Sequence, residues 1–519
     1  MTILAVPAYS YRTSKLSAHF CSVRLSHFVF EVQIFYTLIG IWRLFNSVQM
    51  GGFSNGGKMM STKKQVYRWR AGAALIIAMI FVLVFSSLGV ALFAMSGSNV
   101  QIATNQHKVN RAFASAESGM QVMRYWLSRV LIPASTAPSG YLSAIINTIQ
   151  SDLAANNISN FVVNNDGSIP TVTLDSATGQ TFSGRIQISA GNPQIVQAFA
   201  TGSCGGITRT IRVNYNIQPY EHPIFNFGLA TKGPLDFPGN PTFAAVNSNW
   251  EADIYVESLT NPLALSVIGN TNFDGDVNVG NPNSDPQLFF HGDVQIAGDQ
   301  GQIAIDNHVN IGADPVDFPQ PDTDHFIQYA TGAIIDSQTN LAAPGITITN
   351  AVIAAGTNPY FGGSVTIKGV LYIEPPNQVT FGRNVNLQGI IVAGGSADNA
   401  TQNSIAFLGN FDTDPFPPDP QFDVMRHETG ASIIAPGFRA TFAGNFSALD
   451  GVMAVNGVHF SGNANAVIKG TILNYSDAPA VVEGNASLTF DRLHTTKIPA
   501  GFDTHRELDY DPGSYSMVH

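Results

Sequence analysis

The longest run of apolar positions in the chain is Ala71 to Phe93, AGAALIIAMIFVLVFSSLGVALF, twenty-three residues without a charge. At ~1.5 Å rise per residue, a helix of this length crosses the ~30 Å hydrocarbon core of a bilayer. The basic residues Lys63, Lys64, Arg68 and Arg70 stand in front of it. Lys and Arg stay cytoplasmic, so the chain from Ser96 onward is expected outside the cytoplasm. The helical pattern continues past the apolar run. From Gly97 to Leu127 the apolar residues Phe113, Ala116, Met120, Met123 and Leu127 recur about every 3.5 residues on a polar background. The expectation is one long helix, membrane-embedded in its first half and packed on a domain in its second.

Pro133 to Gly140 then reads as a linker, with Ser139 as a cap for a shorter helix whose apolar stripe is Leu142, Ile145, Ile146, Ile149 and Leu153. Strand-like stretches follow at Thr171–Leu174, Gly184–Ser189, Gln194–Ala200 and Ile207–Tyr215, with Gly191-Asn192 and Gly205-Gly206 as turns. They predict a small antiparallel meander packed on the long helix.

From about Phe225 the pattern shortens to apolar-polar-apolar triplets. Val277-Asn278-Val279, Val294-Gln295-Ile296, Val309-Asn310-Ile311, Ile346-Thr347-Ile348, Val365-Thr366-Ile367 and Val385-Asn386-Leu387 are examples. Glycines keep similar time, as in Gly275 to Gly292, Gly369 to Gly389, Gly444 to Gly462 and Gly451 to Gly470. A triplet cannot bury its inward side chains alone, but stacking on the next turn of chain can. Repetition near 20 residues therefore predicts a parallel right-handed β-solenoid (β-helix), with a jelly roll or sandwich as the alternative. The overall expectation is an α+β chain: a long N-terminal transmembrane and amphipathic helix, a small antiparallel β head, and the solenoid.

Arg70-Ala71-Gly72-Ala73-Ala74-Leu75, followed by Arg111-Ala112-Phe113-Ala114-Ser115-Ala116-Glu117-Ser118-Gly119, resembles the amino-terminal region of the PilX family of type IV pilus minor pilins. The resemblance covers roughly residues 63 to 130. It implies a basic leader removed by prepilin peptidase, with Gly72 as the cleavage glycine and Ala73 as the new first residue. It also implies that Leu75, Ile76, Ile77, Met79, Ile80, Phe81, Leu83, Phe85, Leu88, Leu92 and Phe93 serve membrane residence and filament packing. Phe113, Ala116, Met120 and Leu127 would then pack the helix on its own head. Major pilins carry a glutamate at mature position five; counting from Ala73, that place holds Ile77.

Residues 1–59 fit this picture poorly, because a pilin leader is short. Phe28 to Phe45, interrupted by Glu31 and Arg43, is either a first membrane segment, which would reverse the orientation, or lies upstream of a translation start at Met59 or Met60. The later start is favoured, since Gly56-Gly57 just before it is compatible with a ribosome-binding sequence. Expected divisions are 60–72 for the leader, 73–130 for the helix and 131–224 for the head. The solenoid takes 225–495, with insertions near 313–345 and 396–430, and 496–519 is a tail.

Composition narrows the function. Charged residues make up 12% and the net charge is −11, which leaves no basic block for nucleic acid. Cys21 and Cys204 are the two cysteines; a chain cut after Gly72 keeps Cys204 alone, so no intrachain disulfide is expected. Asp314–Ala330 and Phe411–Asp423 are acidic, Pro-rich and aromatic. They read as insertions lying over the solenoid flank, with Phe318, Phe326, Phe416 and Phe422 covering apolar surface. The alternative is calcium, since Asp322, Asp324, Asp412 and Asp414 form Asp-x-Asp pairs, but no EF-hand or nonapeptide spacing accompanies them. No other cofactor or metal is indicated.

Walker, His-Glu-x-x-His, Gly-x-Ser-x-Gly and Cys-x-x-Cys motifs are absent from the sequence. Asp274 with Asp276, or His291 with Asp293, could serve as acid and base in a groove, but their adjoining glycines favour turn roles. His107 and Glu117 read as solvated positions on the long helix.

The reading is a structural, non-enzymatic pilin-like protein. It is a single-pass inner (cytoplasmic) membrane protein whose carboxy-terminal region is outside the cytoplasm, on a pilus or the cell surface. Expected partners are the membrane, prepilin peptidase, other pilin-like subunits, and a surface polysaccharide or a host or abiotic surface. Competing readings are a membrane-anchored envelope scaffold that never enters a filament and a surface carbohydrate-active enzyme.

Overall fold

The computed structural model describes residues 66–261, 263–281, 288–395, 402–444, 447–461 and 465–518, with backbone alone for 66–73. Phe28–Phe45, Cys21, Met59, Met60, Lys63 and Lys64 lie outside these residues. The chain divides into two compact units, Met1–Asn99 and Val100–His519.

Helix α1 is Val66–Leu127. Within the second unit its later turns bury Ala112, Ala116, Met120, Met123, Trp126 and Leu127, while Phe113 is half-buried. These residues pack on helix α2, Tyr141–Ala155, through Ile145, Ile146, Ile149 and Leu153, and on the sheet through Phe182, Ala198, Ala200, Ile211 and Val213. The helix lies very close to the strands. A Cβ on Gly202 would sit 2.1 Å from the Ala112 carbonyl oxygen, so only glycine fits there. Helix α2 is not capped by Ser139: Pro138 starts a 3-10 turn and Gly140 takes the cap position without a side-chain bond.

The sheet strands are β1 (Leu131–Pro133), β2 (Ser168–Asp175), β3 (Gln180–Ile188), β4 (Ile195–Cys204) and β5 (Ile207–Pro219), all antiparallel. The expected tail contributes to this sheet as well. His505–Val518 forms a strand between β1 and β5, with Leu508 opposite Ile217 and Tyr510 opposite Tyr215. Its apolar alternation is broken by Asp511, Pro512 and Gly513, where the register shifts, and that break hides the strand in the sequence.

Residues from Leu229 build three further sheets of twelve, nine and seven described strands. Successive strands visit them in rotation: Leu229–Thr231, Leu235–Phe237 and Thr242–Ala245 enter the twelve-, nine- and seven-stranded sheets in turn, and Ile254–Val256 returns to the first. Among the described strands, every pairing in these sheets is parallel except the short hairpin of Gln295 with Gln300. A jelly roll would be antiparallel.

The repeat is not the uniform one suggested by the triplet spacing. Val277–Val279 pairs with Val309–Ile311, whereas Val294–Ile296 belongs to another sheet. Further on, Ile346, Val365 and Val385 do stack directly. The glycine rhythm is likewise partly accidental. Gly389 lies opposite Gly369, where a Cβ would approach the Gly369 carbonyl oxygen to 1.8 Å, but Gly292 stacks on Gly269 rather than Gly275.

The interior is a column of rings. Phe361, Phe381, Phe407, Phe442 and Phe460 stack with centroids 4.9, 5.2, 4.9 and 5.2 Å apart, a favourable offset distance. At the corners, asparagine side chains accept from the neighbouring turn: Asn377 Oδ1 from Asn358 N–H at 2.7 Å and Asn403 Oδ1 from Asn377 N–H at 3.0 Å.

The stacking order departs from chain order. The last strands, Ile472–Asn474, Ala480–Val482 and Ser487–Phe490, pair with the first, Leu229–Thr231, Leu235–Phe237 and Thr242–Ala245. The strands that follow in sequence extend away on one side to Val309–Ile311, and those from Ile334–Ile335 return from the other. Phe407→Ala, at the middle of the ring column, should cost about 3–5 kcal/mol. Chemical denaturation should register this loss, while the exposed neighbour change Leu408→Ala should be nearly silent.

Candidate functional site

Two regions concern function: the exposed part of α1 and the outer surface of the parallel sheets. In the first unit the α1 side chains from Ala74 onward are exposed. Each of the named apolar residues between Leu75 and Phe93 is more than half exposed, with Phe93 at 84%. α1 is the one helix among the described residues that is long and apolar enough to cross a membrane. Exposed apolar surface of this extent needs a lipid or protein partner. Gly72 and Ala73 lie within the α1 backbone.

The outer face of the twelve-stranded sheet is covered. Residue 312 leaves one edge of that sheet and residue 333 reaches the other. Ten strand steps of ~4.8 Å make roughly 50 Å, and 22 residues extend to about 70 Å at most. The connecting segment must therefore run nearly straight, which its prolines Pro315, Pro319 and Pro321 favour. Phe318 packs with Tyr255, Leu473 and Tyr475. Phe326 and Phe422 pack with Val370, Ile390 and Ile434, and Phe416 lies at the rim of that cluster.

Hydrogen bonds fix the crossing segment. Val316 N–H donates to Tyr255 Oη at 3.1 Å, and Tyr475 Oη donates to the Pro319 carbonyl at 2.5 Å. His325 Nε2 and Tyr329 Oη meet Glu428 Oε1 at 2.7 and 2.9 Å. Burial and the neighbouring Glu428 push the Tyr329 hydroxyl up to about 12.

The Asp-x-Asp pairs serve local structure. Asp322 accepts from His325 N–H, Asp412 from Thr413 N–H, and Asp414 from Asn386 Nδ2. Among the described residues no group of three or more His, Cys, Asp or Glu is arranged to hold a metal. Two of the candidate acid and base groups are bonded and a third is stacked. Asp274 accepts from Ala245 N–H at 2.9 Å, Asp276 pairs with His308 at 2.8 Å, and His291 stacks on Phe289. Glu117 is not merely solvated, because Tyr515 Oη donates to it. Cys204 is buried with its thiol toward the Thr178 carbonyl.

Sequence reasoning passed over Arg492, a lone cation 3% exposed. It donates to the carbonyls of Asn226 and Glu251 at 3.0 and 3.1 Å and to that of Phe225, at the point where the chain enters the parallel sheets. Burial lowers its guanidinium to about 10. Nothing in its sequence neighbourhood signals this role, since the carbonyls it binds lie more than 200 positions away.

Residues 71–121 match the family model described as PilX N-terminal. The chain is thus type IV pilin-like in its amino-terminal helix. No curated protein matches the sequence. The competence-associated pilin ComZ from Thermus thermophilus aligns at 14% identity over 79% of this chain and 97% of its own, with a TM-score of 0.21. The ice-binding protein LeIBP from an Arctic yeast aligns at 10% identity over 54% and 96%, also at 0.21.

Near Arg492, burial pushes the Asp253 carboxyl from the ordinary 3.8 up to about 6. A raised folded value means that its contribution to stability is present below the ordinary value and is lost as pH rises through 6. Asp253→Asn keeps an oxygen to accept from Asp276 N–H. The variant should match the native protein below pH 4 and melt higher above pH 6, as thermal midpoints across that range will read.

Proposed function

We propose that the chain is a minor-pilin-like or pseudopilin-like subunit of a type IV pilus or related filament. It is cut after Gly72 by prepilin peptidase and displays a right-handed β-solenoid outside the cytoplasm for adhesion or assembly priming. The observation that carries this reading is the PilX N-terminal match falling on a single helix, exposed and uncharged from Leu75 to Phe93 and packed on its own sheet from Ala112 to Leu127. A membrane span and a filament core both require such an exposed, uncharged helix.

The solenoid reading is supported by strands that enter three parallel sheets in rotation, and the right-handed sense follows the general chirality of parallel crossovers. The basic residues before Ala71 favour a cytoplasmic amino terminus. Ile77 stands where major pilins carry glutamate, so a neighbour's amino terminus beside it would remain an uncompensated charge in an apolar core. That penalty is smallest at a filament end. A structural role through shape and polar flank suits the exposed helix and the stacked parallel sheets.

Gly72→Leu should leave the leader attached, giving a larger protein on denaturing gels and none in sheared filament fractions. Native protein absent from those fractions, in cells that make filaments, would refute the filament role.

A further inference from the structure

Where the seven-stranded sheet turns into the twelve-stranded one, three successive turns of chain end on Asp450, Lys469 and Asp491. Asp450 is in register with Lys469, and Asp491 N–H bonds to the Ile468 carbonyl one turn further on. Parallel neighbours lie ~4.8 Å apart, so these side chains form a row with that repeat. The row continues to Asn247, whose Nδ2 donates to Asp491 Oδ1 at 3.1 Å.

Thr429, Gly430, His494, Thr495 and Thr496 line the same cavity as the row, which measures about 400 Å³. A second cavity of about 300 Å³ shares Thr429, Gly430 and Asp450 and extends the groove past Asp414 to the half-buried ring of Phe416.

Three side chains in this groove are uncommitted, while Asp491 is bonded to Asn247 and Asp414 to Asn386. Among the described residues the Asp450 carboxylate, the Lys469 ammonium and the His494 ring form no side-chain hydrogen bond or ion pair; only the backbone of Asp450 is engaged, by Thr413 and Ser432. Opposite charges facing each other on adjacent strands commonly pair. Here they face the groove instead.

Two carboxylates and one ammonium leave the row a net charge of −1, which repels a polyanion, while the alternation of sign breaks up the continuous negative field a polycation would follow. Such a row suits a ligand whose own groups both donate and accept, and hydroxyls do so. The Phe416 ring offers an apolar face at one end. An extended β-linked pyranose chain advances by nearly one strand spacing per sugar. We propose that this groove binds an extended oligosaccharide of uncharged hexoses, laid along the stacking direction with about one sugar per turn of chain. The assignment rests on the reading of the β region as an exported display domain and names its ligand class.

Full-length protein in detergent micelles should bind fluorescently labelled cellohexaose or chitohexaose more tightly than the matching disaccharide. Asp450→Ala and Lys469→Ala should each weaken hexaose binding about tenfold, the loss of one hydrogen bond to a charged group. Gln295→Ala, on the outward face of a strand elsewhere in the same sheet, should not. Both groove side chains are exposed, and an unchanged thermal midpoint will show that the fold is kept. Failure of both hexaoses to bind, equal affinity for the disaccharide, or binding that survives the double substitution overturns the proposal. Loss of saccharide binding in protein that still enters filaments condemns the groove alone, and saccharide binding by protein never found in filaments condemns the filament role alone.

Discussion

In the parallel region, a strand of three or four residues buries its inward side chains only when another turn of chain lies directly above or below it. Each unpaired backbone edge carries donors and acceptors that must find partners. The chain meets this demand by closing its last turn onto its first: Ile472 meets Leu229 and Ser487 meets Thr242. The first strands therefore sit inside the stack, flanked on both sides. The price is a long traverse, because the segment after Ile311 has to reach the opposite edge before winding can resume.

That traverse explains the acidic, proline-rich stretches. The outward side chains of the twelve-stranded sheet include Tyr255, Val370, Ile390, Ile434, Ala454 and Leu473, an apolar face that water would otherwise touch. Residues 314–330 and the loop around Phe422 lie across it. The tyrosine hydroxyls of Tyr255 and Tyr475 hold the crossing backbone. A connection imposed by topology thus becomes the third layer of the fold. The junction of first and last turns is also where Arg492 gathers the carbonyls of Phe225, Asn226 and Glu251, tying the entry of the chain to its exit.

Helix α1 meets two different demands with one periodicity. From Ala71 to Phe93 it is uncharged on every side, as a helix surrounded by lipid or by other helices must be. From Ala112 it carries a single buried stripe, and glycines bring it against the sheet: Gly119 beneath Phe182 and Gly202 beneath the Ala112 carbonyl. The terminal strand His505–Val518 reinforces that sheet through Arg124, whose guanidinium lies 4.2 Å from the Tyr510 ring centre, and through the Tyr515 bond to Glu117.

Local pattern alone determined α1, α2 and the four strands that follow them, because periods of 3.6 and 2 residues report directly on one buried face. The resemblance of residues 70–119 to the PilX amino-terminal region rests on the same local stretch. The apolar triplets likewise announced stacked parallel strands, and Phe318, Phe326 and Phe422 announced a covered flank. Tertiary structure alone decided which triplets stack, since Val277 meets Val309 and not Val294 when turns differ in length. It also decided that the carboxy-terminal residues return to the first sheet, that Arg492 is buried, and that Asp450, Lys469 and Asp491 share one groove. Winding with unequal turns sets the first and last of these pairings, and the closing of the last turn on the first brings Arg492 to the carbonyls at the entry of the chain, positions whose sequence neighbours carry no trace of the partner.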